Sequence, residues 1–314
     1  MPNIKIQRDF KMPRKAINMN NTNNKHEING VFVVVLAFLL WGIFPLYWKA
    51  LSGVSATIIL ANRIIWSLVF TATLIHYQSR WRELRSGICT RKDLLLLLLR
   101  SFFIGSNWLV FIWGINNGRV LECSLGYFIN PLIVVLLGYV FLKERLNRHQ
   151  IAALILACIA VLLLIISYGN VPWVSFFVAI TFGFYALLKK TSTSESLTGL
   201  TAEVAVLTIP ALIYLTVVSI DRGYLYFTQE SLMTNILLVF SGIITAVPLL
   251  LYANGLRKIR LSTGGLLQYI APTCTFLLGV FVFKENFTKI HMVSFIIIWI
   301  SLAFFSLNSF FQKK

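Results

Sequence analysis

The sequence predicts an all-α polytopic membrane protein with ten transmembrane helices in two inverted five-helix repeats. Its composition is 58% hydrophobic and only 12% charged, which is too apolar for a soluble domain of 314 residues. Ten apolar segments approach the roughly 20 residues that cross a hydrocarbon core of about 30 Å. The second half of the chain also repeats the pattern of the first half at a constant offset of 141 residues.

The ten apolar segments are joined by connections too short to hold an extramembrane domain. Lipid offers no hydrogen-bond partners to a backbone, so each segment is expected to be a helix. The flanking residues 1–29 and 311–314 are predicted to be cytoplasmic tails, the longer one polar, rich in Asn and disordered. The predicted spans are residues 30–50, 56–77, 93–114, 120–142, 149–168, 171–188, 200–220, 232–252, 261–283 and 290–310.

Two repeats, residues 30–169 and 170–310, share small residues, prolines and charges at the 141-residue offset. Because five is an odd number, the second repeat must enter the bilayer inverted relative to the first. Inverted repeats place a pocket near the membrane midplane that can open to either side, which predicts alternating-access transport. The recurring pairs include Gly42 and Gly183, Lys49 and Lys190, Pro131 and Pro272, and the dipeptides Lys143-Glu144 and Lys284-Glu285.

The net charge of +17 follows the predicted topology rather than a nucleic-acid surface. With a cytoplasmic amino terminus, 21 of the 28 Lys and Arg residues fall on the cytoplasmic side and five on the other. This asymmetry is the positive-inside rule, and it places both termini in the cytoplasm of a bacterial inner-membrane protein. Membrane lipid is therefore an expected partner of the basic residues, and nucleic acid is not.

Charged residues within the apolar segments are the strongest indicators of a functional site. Arg63 lies about two turns into the second span, and Glu122 lies near the start of the fourth. Both fall in the outer third of the predicted bilayer, where an ion pair would remove most of the cost of burying either charge. Such a pair could be static, or Arg63 could contact substrate and the pair could change partners during gating. Arg100 and Glu203 lie close to cytoplasmic helix ends and are predicted to snorkel or to cap.

Prolines in the middle of helices are predicted to be hinges. Pro131 and Pro272 occupy equivalent positions, and each removes a backbone donor and strains the preceding turn. The carbonyls that they would free belong to Tyr127 and Gln268, although such kinks also occur in helices that bind nothing. The polar and aromatic side chains expected to line the cavity are Asn62, Trp66, Asn107, Trp108, Tyr127, Asn130, Gln268 and Tyr269. Bundle packing is the alternative role for these tryptophans, and Trp48 is predicted to lie at the membrane interface.

Enzyme motifs are absent from the sequence. It contains no phosphate-binding P-loop, no HExxH and no G-x-S-x-G, and its four cysteines are isolated. The sequence therefore predicts no enzymatic activity, no cofactor and no metal, and transport would draw on an ion or solute gradient. A membrane scaffold or sensor that has lost transport stays open as an alternative, as does an intramembrane lipid-processing enzyme.

Several of these strings together resemble the RarD branch of the EamA drug/metabolite transporters. The resemblance covers residues 30–308. It is carried by residues 40–49 (LWGIFPLYWK), 61–67 (ANRIIWS), 107–108 (NW), 116–122 (NNGRVLE), 125–132 (LGYFINPL), 245–249 (TAVPL) and 266–273 (LLQYIAPT).

The resemblance implies a ten-helix permease of the inner membrane, with two EamA units around a central cavity. The branch takes its name from chloramphenicol sensitivity, and related transporters export amino acids or other metabolites. A small-molecule solute is therefore the expected partner. Asn62 stands where the second-helix motif of the family usually has a histidine. An amide does not titrate, so a proton as the coupling ion remains an open question.

Overall fold

The protein is helical throughout the part that its computed structural model describes, which contains no β-strand. That part comprises residues 14–51, 53–87, 90–116, 120–168, 172–222, 231–282 and portions of 289–301. The helices are α1 (Arg14–Ile43), α2 (Pro45–Ala50), α3 (Ala56–Tyr77), α4 (Trp81–Ser86), α5 (Arg91–Asn116), α6 (Val120–Leu142), α7 (Arg148–Tyr168), α8 (Trp173–Thr191), α9 (Ser196–Arg222), α10 (Leu232–Leu256), α11 (Leu261–Leu267) and α12 (Ile270–Phe281).

Seven helical segments in the described residues are long and apolar enough to cross a membrane. A shorter apolar helix, Arg148–Leu163, lies at the predicted fifth span. The predicted ninth span is divided between α11 and α12, and most of the predicted tenth span lies outside the described residues. The seven segments are Ile28–Ala50, Ala56–Tyr77, Arg91–Gly114, Leu125–Leu142, Trp173–Thr191, Ser196–Asp221 and Leu232–Leu256.

The first helix begins earlier than the sequence analysis predicts. α1 starts at Arg14, inside the segment expected to be a disordered tail, and continues without interruption into the first apolar span. Extending an existing helix gains one hydrogen bond for each residue that is fixed, so a polar segment can continue a helix that lipid already requires. Residues 1–13 lie outside the described residues.

The two equivalent prolines have different effects on their helices. α6 runs through Pro131, whereas the ninth predicted span breaks at Gln268 and Tyr269, just before Pro272. Pro272 is the third residue of α12, a position that needs no intrahelical donor. The prediction of a free carbonyl at Gln268 is wrong, because that carbonyl accepts a 3.2 Å hydrogen bond from the Ala271 amide. Because the helix is broken here, the Gln268 carbonyl accepts from the amide three residues later and not from the residue four later, which is proline.

The helix pairs that pack together fall into matching sets from the two halves of the chain. The contact of α6 with α8 corresponds to the contact of α12 with α1. In the same way, the contact of α5 with α8 corresponds to the contact of α10 with α1. α5 also contacts α9 as α10 contacts α3, while α3 packs on α9 and α6 on α11. Much of the buried core therefore lies between helices of different halves, and one core cluster also joins α6 to α7 within the first half.

Glycines permit close approach at two of these contacts. A Cβ added to Gly42 would clash with Cys274 of α12, and a Cβ added to Gly183 would clash with Ile133 of α6. Gly42 and Gly183 are separated by the 141-residue offset, and so are Ile133 and Cys274. The same packing geometry thus recurs at α1–α12 and at α6–α8.

Gly242 allows the closest contact between α3 and α10. A Cβ at this position would overlap the backbone carbonyl carbon and the Cβ of Trp66. We expect Gly242→Ala to destabilise the protein by about 1–3 kcal/mol, the usual cost of overpacking. That loss exceeds the gain of about 1 kcal/mol from replacing a helical glycine by alanine. Thermal unfolding in detergent measures the effect.

The matched control for this substitution is Gly53→Ala. No atom lies within 4 Å of the position of a Cβ at Gly53, so this substitution should leave the unfolding temperature unchanged. A Gly242→Ala protein as stable as the wild type would contradict the close α3–α10 contact.

Candidate functional site

A cationic side chain lies among indole rings within the α3 membrane segment. The guanidinium carbon of Arg63 lies 4.4 Å from the ring centroid of Trp108 in α5 and 5.2 Å from that of Trp48 in α2. Its Nε donates a 3.1 Å hydrogen bond to the hydroxyl of Thr245 in α10. Four helices therefore converge on one charge, and we call Arg63, Trp48, Trp108 and Thr245 the Arg63 site.

Hydrogen bonds between helices hold the Arg63 site in place. Thr245 is fixed by donating its hydroxyl to the Ser241 carbonyl, 2.7 Å away in the same helix. One turn beyond Arg63, the Ser67 hydroxyl lies 3.0 Å from the Gly242 carbonyl and joins α3 to α10. Interhelical hydrogen bonds of this kind replace the missing hydrophobic driving force between helices in lipid. The site is thus positioned by rigid helices and not by loops.

Tyrosines extend the Arg63 site on two sides. The hydroxyls of Tyr47 and Tyr127 lie within electrostatic range of the guanidinium. Tyr47 donates to the Leu237 carbonyl of α10, whereas Tyr127 stacks edge-on against Phe111 of α5, with centroids 5.3 Å apart. Tyr127 keeps 39% of its surface exposed within the helix bundle. A cation bordered by aromatic rings can bind both an anionic group and an apolar ring.

Two predicted lining residues form helix contacts instead of facing open space. The Asn62 amide donates to the Ile58 carbonyl of its own helix at 2.9 Å. The Asn107 amide donates to the Val178 carbonyl at 2.8 Å and to the Thr181 hydroxyl at 3.0 Å, which ties α5 to α8. Both side chains are buried, and Trp66 packs its backbone against Gly242.

A second polar group lies where α6 crosses α11. Asn130 donates to the Ala179 carbonyl at 3.1 Å, and Gln268 contacts the Tyr252 hydroxyl at 3.4 Å. The Asn130 Oδ1, the Gln268 Oε1 and the Tyr269 hydroxyl are buried and have no hydrogen-bond partner in the described residues. Asn130 thus contacts α8, Gln268 contacts α10, and Tyr269 packs in the core that includes α7 residues Ala153 and Ala157.

Glu122, the predicted partner of Arg63, lies in α6 with its side chain outside the described residues. Among the side chains that are described, no carboxylate lies within ion-pair distance of Arg63. The pair therefore stays a prediction. Trp48, by contrast, was expected at the membrane interface and lies against the guanidinium.

A buried group of charges that the sequence analysis misinterprets lies at the opposite end of the bundle. Glu203 of α9 is fully buried and accepts from the Lys189 ammonium of α8 at 2.9 Å. The Arg100 Nε of α5 lies 3.1 Å from the same carboxylate oxygen, and the Tyr185 hydroxyl donates to the other oxygen at 3.1 Å. We call Arg100, Lys189 and Glu203 the ion triad.

The prediction that Arg100 and Glu203 snorkel or cap is wrong. Arg100 and Lys189 are only 5% and 6% exposed, so neither reaches headgroups. A snorkelling charge keeps its head in water, whereas three charges on three adjacent helices can satisfy one another. Together with the repeat, the structure relates the triad to the Arg63 site. At the 141-residue offset Glu203 corresponds to Asn62 and Lys189 to Trp48, both beside Arg63.

A small groove leads from the protein surface to Arg100. Next to it, Arg80 binds Glu83 of α4 through two hydrogen bonds of 2.5 and 2.8 Å, and it also binds Glu195 near the start of α9. These bonds hold the pKa of the exposed Glu83 below its usual value and attach α4 to the same end of the bundle. The groove is lined by Glu83, Leu84, Gly87, Leu97, Arg100, Ser194, Thr198 and Ala202.

A further carboxylate fixes the start of α11. Glu144 follows α6 and accepts from the backbone amides of Leu261 and Ser262 at 2.7 and 2.9 Å. Lys190 donates to the carbonyls of Leu256 and Ile259 at 2.9 and 2.5 Å and so closes the end of α10. Glu144 recurs as Glu285 and Lys190 as Lys49 at the 141-residue offset. Two of the recurring charges therefore have a structural role at helix ends.

Comparison with known proteins identifies the chain's relatives. The model of the EamA-like transporter family matches twice, at residues 28–166 and 172–307. The chain is 42% identical to a Bacillus subtilis protein named uncharacterized transporter YojE, over 91% of this chain and 96% of that protein. It is 39% identical to the RarD protein of Escherichia coli, over 92% of this chain and 98% of that protein. These relatives and the seven apolar segments indicate a multi-pass protein of the bacterial inner membrane.

A solved structure shares the fold. A crystal structure whose chain is 15% identical superimposes with a TM-score of 0.65, covering 91% of this chain and 99% of the other. At this level of identity the likeness concerns the arrangement of helices alone.

Proposed function

The chain belongs to the EamA-like transporter family, and we propose that it is a secondary transporter of a small organic solute. It works by alternating access across the bacterial inner membrane. The observation that carries this proposal is the Arg63 site: a guanidinium inside a membrane segment, flanked by two indole rings and an exposed tyrosine. Ionisable groups in membrane helices mark solute pathways because burying them is costly.

The helix contacts support ten helices in two inverted repeats. The principal contacts between the halves come in equivalent pairs: α6–α8 with α12–α1, α5–α8 with α10–α1, and α5–α9 with α10–α3. The equivalent close contacts of Gly42 and Gly183 have the same register. The two family matches divide the chain at the same place as the predicted repeats, 30–169 and 170–310. The α3–α9 and α6–α11 contacts each join equivalent helices, as contacts on a pseudo-two-fold axis do.

Equivalent positions at the two ends of the bundle differ in exposure, which supports alternating access. Leu46 is 47% exposed, whereas its counterpart Leu187 is 6% exposed. Thr57 is exposed at the start of α3, whereas Thr198 at the start of α9 is 6% exposed. In either of its two conformations, an inverted-repeat transporter is open on one side of the membrane and closed at the equivalent place on the other side.

The ion triad holds the closed end together. Its three charges come from α5, α8 and α9, and the corresponding positions in α10, α2 and α3 carry no charge. Lys and Arg residues cluster at the triad end in the predicted topology, so this end faces the cytoplasm together with both termini. The Arg63 site then faces outward in this conformation.

The break between α11 and α12 is the proposed hinge of the second repeat. Gln268 and Tyr269 lie at the break and carry buried polar atoms that have no partner among the residues that the structure describes, while Pro272 lies in the first turn of α12. Pro131 is the matching hinge within α6. Bending at these two hinges would move one repeat relative to the other. The Arg63 site and the α6–α11 crossing would then open alternately to the two sides of the membrane.

Uptake into proteoliposomes tests the proposed function. A labelled panel of chloramphenicol, amino acids, nucleosides and aromatic carboxylates such as benzoate is assayed with and without an imposed pH gradient. Saturable uptake of one class of solute supports the proposal, and a response to the gradient identifies proton coupling. Absence of saturable uptake by correctly folded protein would contradict the proposal.

A further inference from the structure

The geometry of the Arg63 guanidinium leaves one approach for a ligand. Indole rings lie against it, and its Nε is already bonded to Thr245. Neither Nη group makes a hydrogen bond to a described side chain or backbone atom. A guanidinium presents its N–H donors in one plane, and its two Nη groups match the two oxygens of a carboxylate. The free edge of Arg63 is thus shaped for an anionic group.

The Arg63 guanidinium has no anionic partner among the described side chains. The buried carboxylate of Glu203 pairs with Arg100 and Lys189 in the ion triad and not with Arg63. Indole rings attract a cation but carry no net charge, so they do not neutralise it. The described part of the Arg63 site therefore carries one positive charge.

The closed end of the bundle also carries an excess of positive charge. The ion triad has two cations for one carboxylate, and the Arg100 Nε makes no hydrogen bond to the described residues. Arg100 lines the groove that leads to the surface. A solute that leaves the Arg63 site towards that end would therefore meet a second positive potential. Low-dielectric walls concentrate such a potential along the path.

From these observations we infer that the transported solute is an organic monoanion, bound through its anionic oxygens at the Nη edge of Arg63 with its apolar body against Trp48 and Trp108. This inference rests on the proposed function. One negative charge on the solute pairs with the single positive charge of the guanidinium, whereas a neutral or cationic solute would leave that charge without an anionic partner among the described side chains.

Three probes of the same shape test the inference: benzoate, benzamide and benzamidinium at neutral pH and constant ionic strength. Binding to the purified full-length protein is followed by tryptophan fluorescence and by the unfolding temperature, which a ligand of the folded state raises. Benzoate should bind about tenfold to a hundredfold more tightly than benzamide, the value of a hydrogen-bonded charge. Benzamidinium should not bind.

Variants at Arg63 assign the effect to this site. Arg63→Gln should remove the preference for benzoate, and Arg63→Lys should keep part of it because the charge remains without the planar donor pair. Arg82→Gln, which changes an exposed arginine in α4, should keep the full preference. Equal binding of benzamide, tighter binding of benzamidinium, or an unchanged preference in Arg63→Gln would overturn the inference. None of these outcomes affects the uptake assay, whose failure alone would contradict transport.

Discussion

Arg63→Ala is expected to abolish saturable uptake without unfolding the protein. The substitution removes the one described charge that borders the aromatic rings of the Arg63 site. Loss of about 3 kcal/mol of charge-assisted binding corresponds to a decrease of more than a hundredfold in transport efficiency. Removing a charge that has no described carboxylate partner also relieves a burial cost, so the unfolding temperature should not fall. Uptake into proteoliposomes and thermal unfolding measure the two effects.

The control for this prediction is Arg82→Ala in α4, which removes an exposed arginine and should transport normally. Glu122→Ala distinguishes the two predicted roles of the pair. If both residues act in one site, each single variant loses uptake, and the double variant is no worse than either. An Arg63→Ala protein that inserts normally and retains full uptake would exclude the Arg63 site as the solute site.

Glu203→Gln is expected to produce the largest loss of stability. The carboxylate is fully buried and is the ion-pair partner of both Arg100 and Lys189. Its neutralisation leaves two buried cations together, which costs about 3–5 kcal/mol. The unfolding temperature in detergent should fall sharply. The closed end should also open, because the triad joins three helices there.

Lys189→Met gives the matched comparison. This variant leaves Glu203 paired with Arg100 and removes the excess cation, while methionine keeps much of the apolar volume of the lysine stem. Its loss of stability should be clearly smaller than that of Glu203→Gln. Equal losses from the two substitutions would show that the triad is held by packing rather than by its charges.

Apolar length and the 141-residue offset predicted most of the architecture. They located α3 and the helices from α5 to α10 within a few residues, because lipid permits few structures other than a helix. They did not predict the helical start at Arg14 or the division between α11 and α12. Both depend on local hydrogen bonding: a helix extends from an apolar segment, and the Gln268 carbonyl finds Ala271 beyond the break.

The candidate site was predicted in part. Arg63 and Trp108, both named as candidate site residues, lie in contact in the structure, whereas their role in binding a solute stays a prediction. Trp48 and the ion triad were assigned to the membrane interface because they lie near helix ends in the sequence. Position along a helix does not show which face a neighbour covers, and the short α2 and the packing of α5, α8 and α9 enclose these side chains.

Reciprocal accessibility of Thr57→Cys and Thr198→Cys, in a protein with its four native cysteines replaced by serine, tests alternating access most directly. The two positions are related by the 141-residue offset, and one is exposed while the other is buried. A membrane-impermeant maleimide should label the thiol of the Thr57→Cys variant faster than that of the Thr198→Cys variant. Adding Glu203→Gln, which opens the closed end, should slow labelling of the first variant and accelerate labelling of the second. Accelerated labelling of both variants, or of neither, would contradict the proposal that the two ends open alternately.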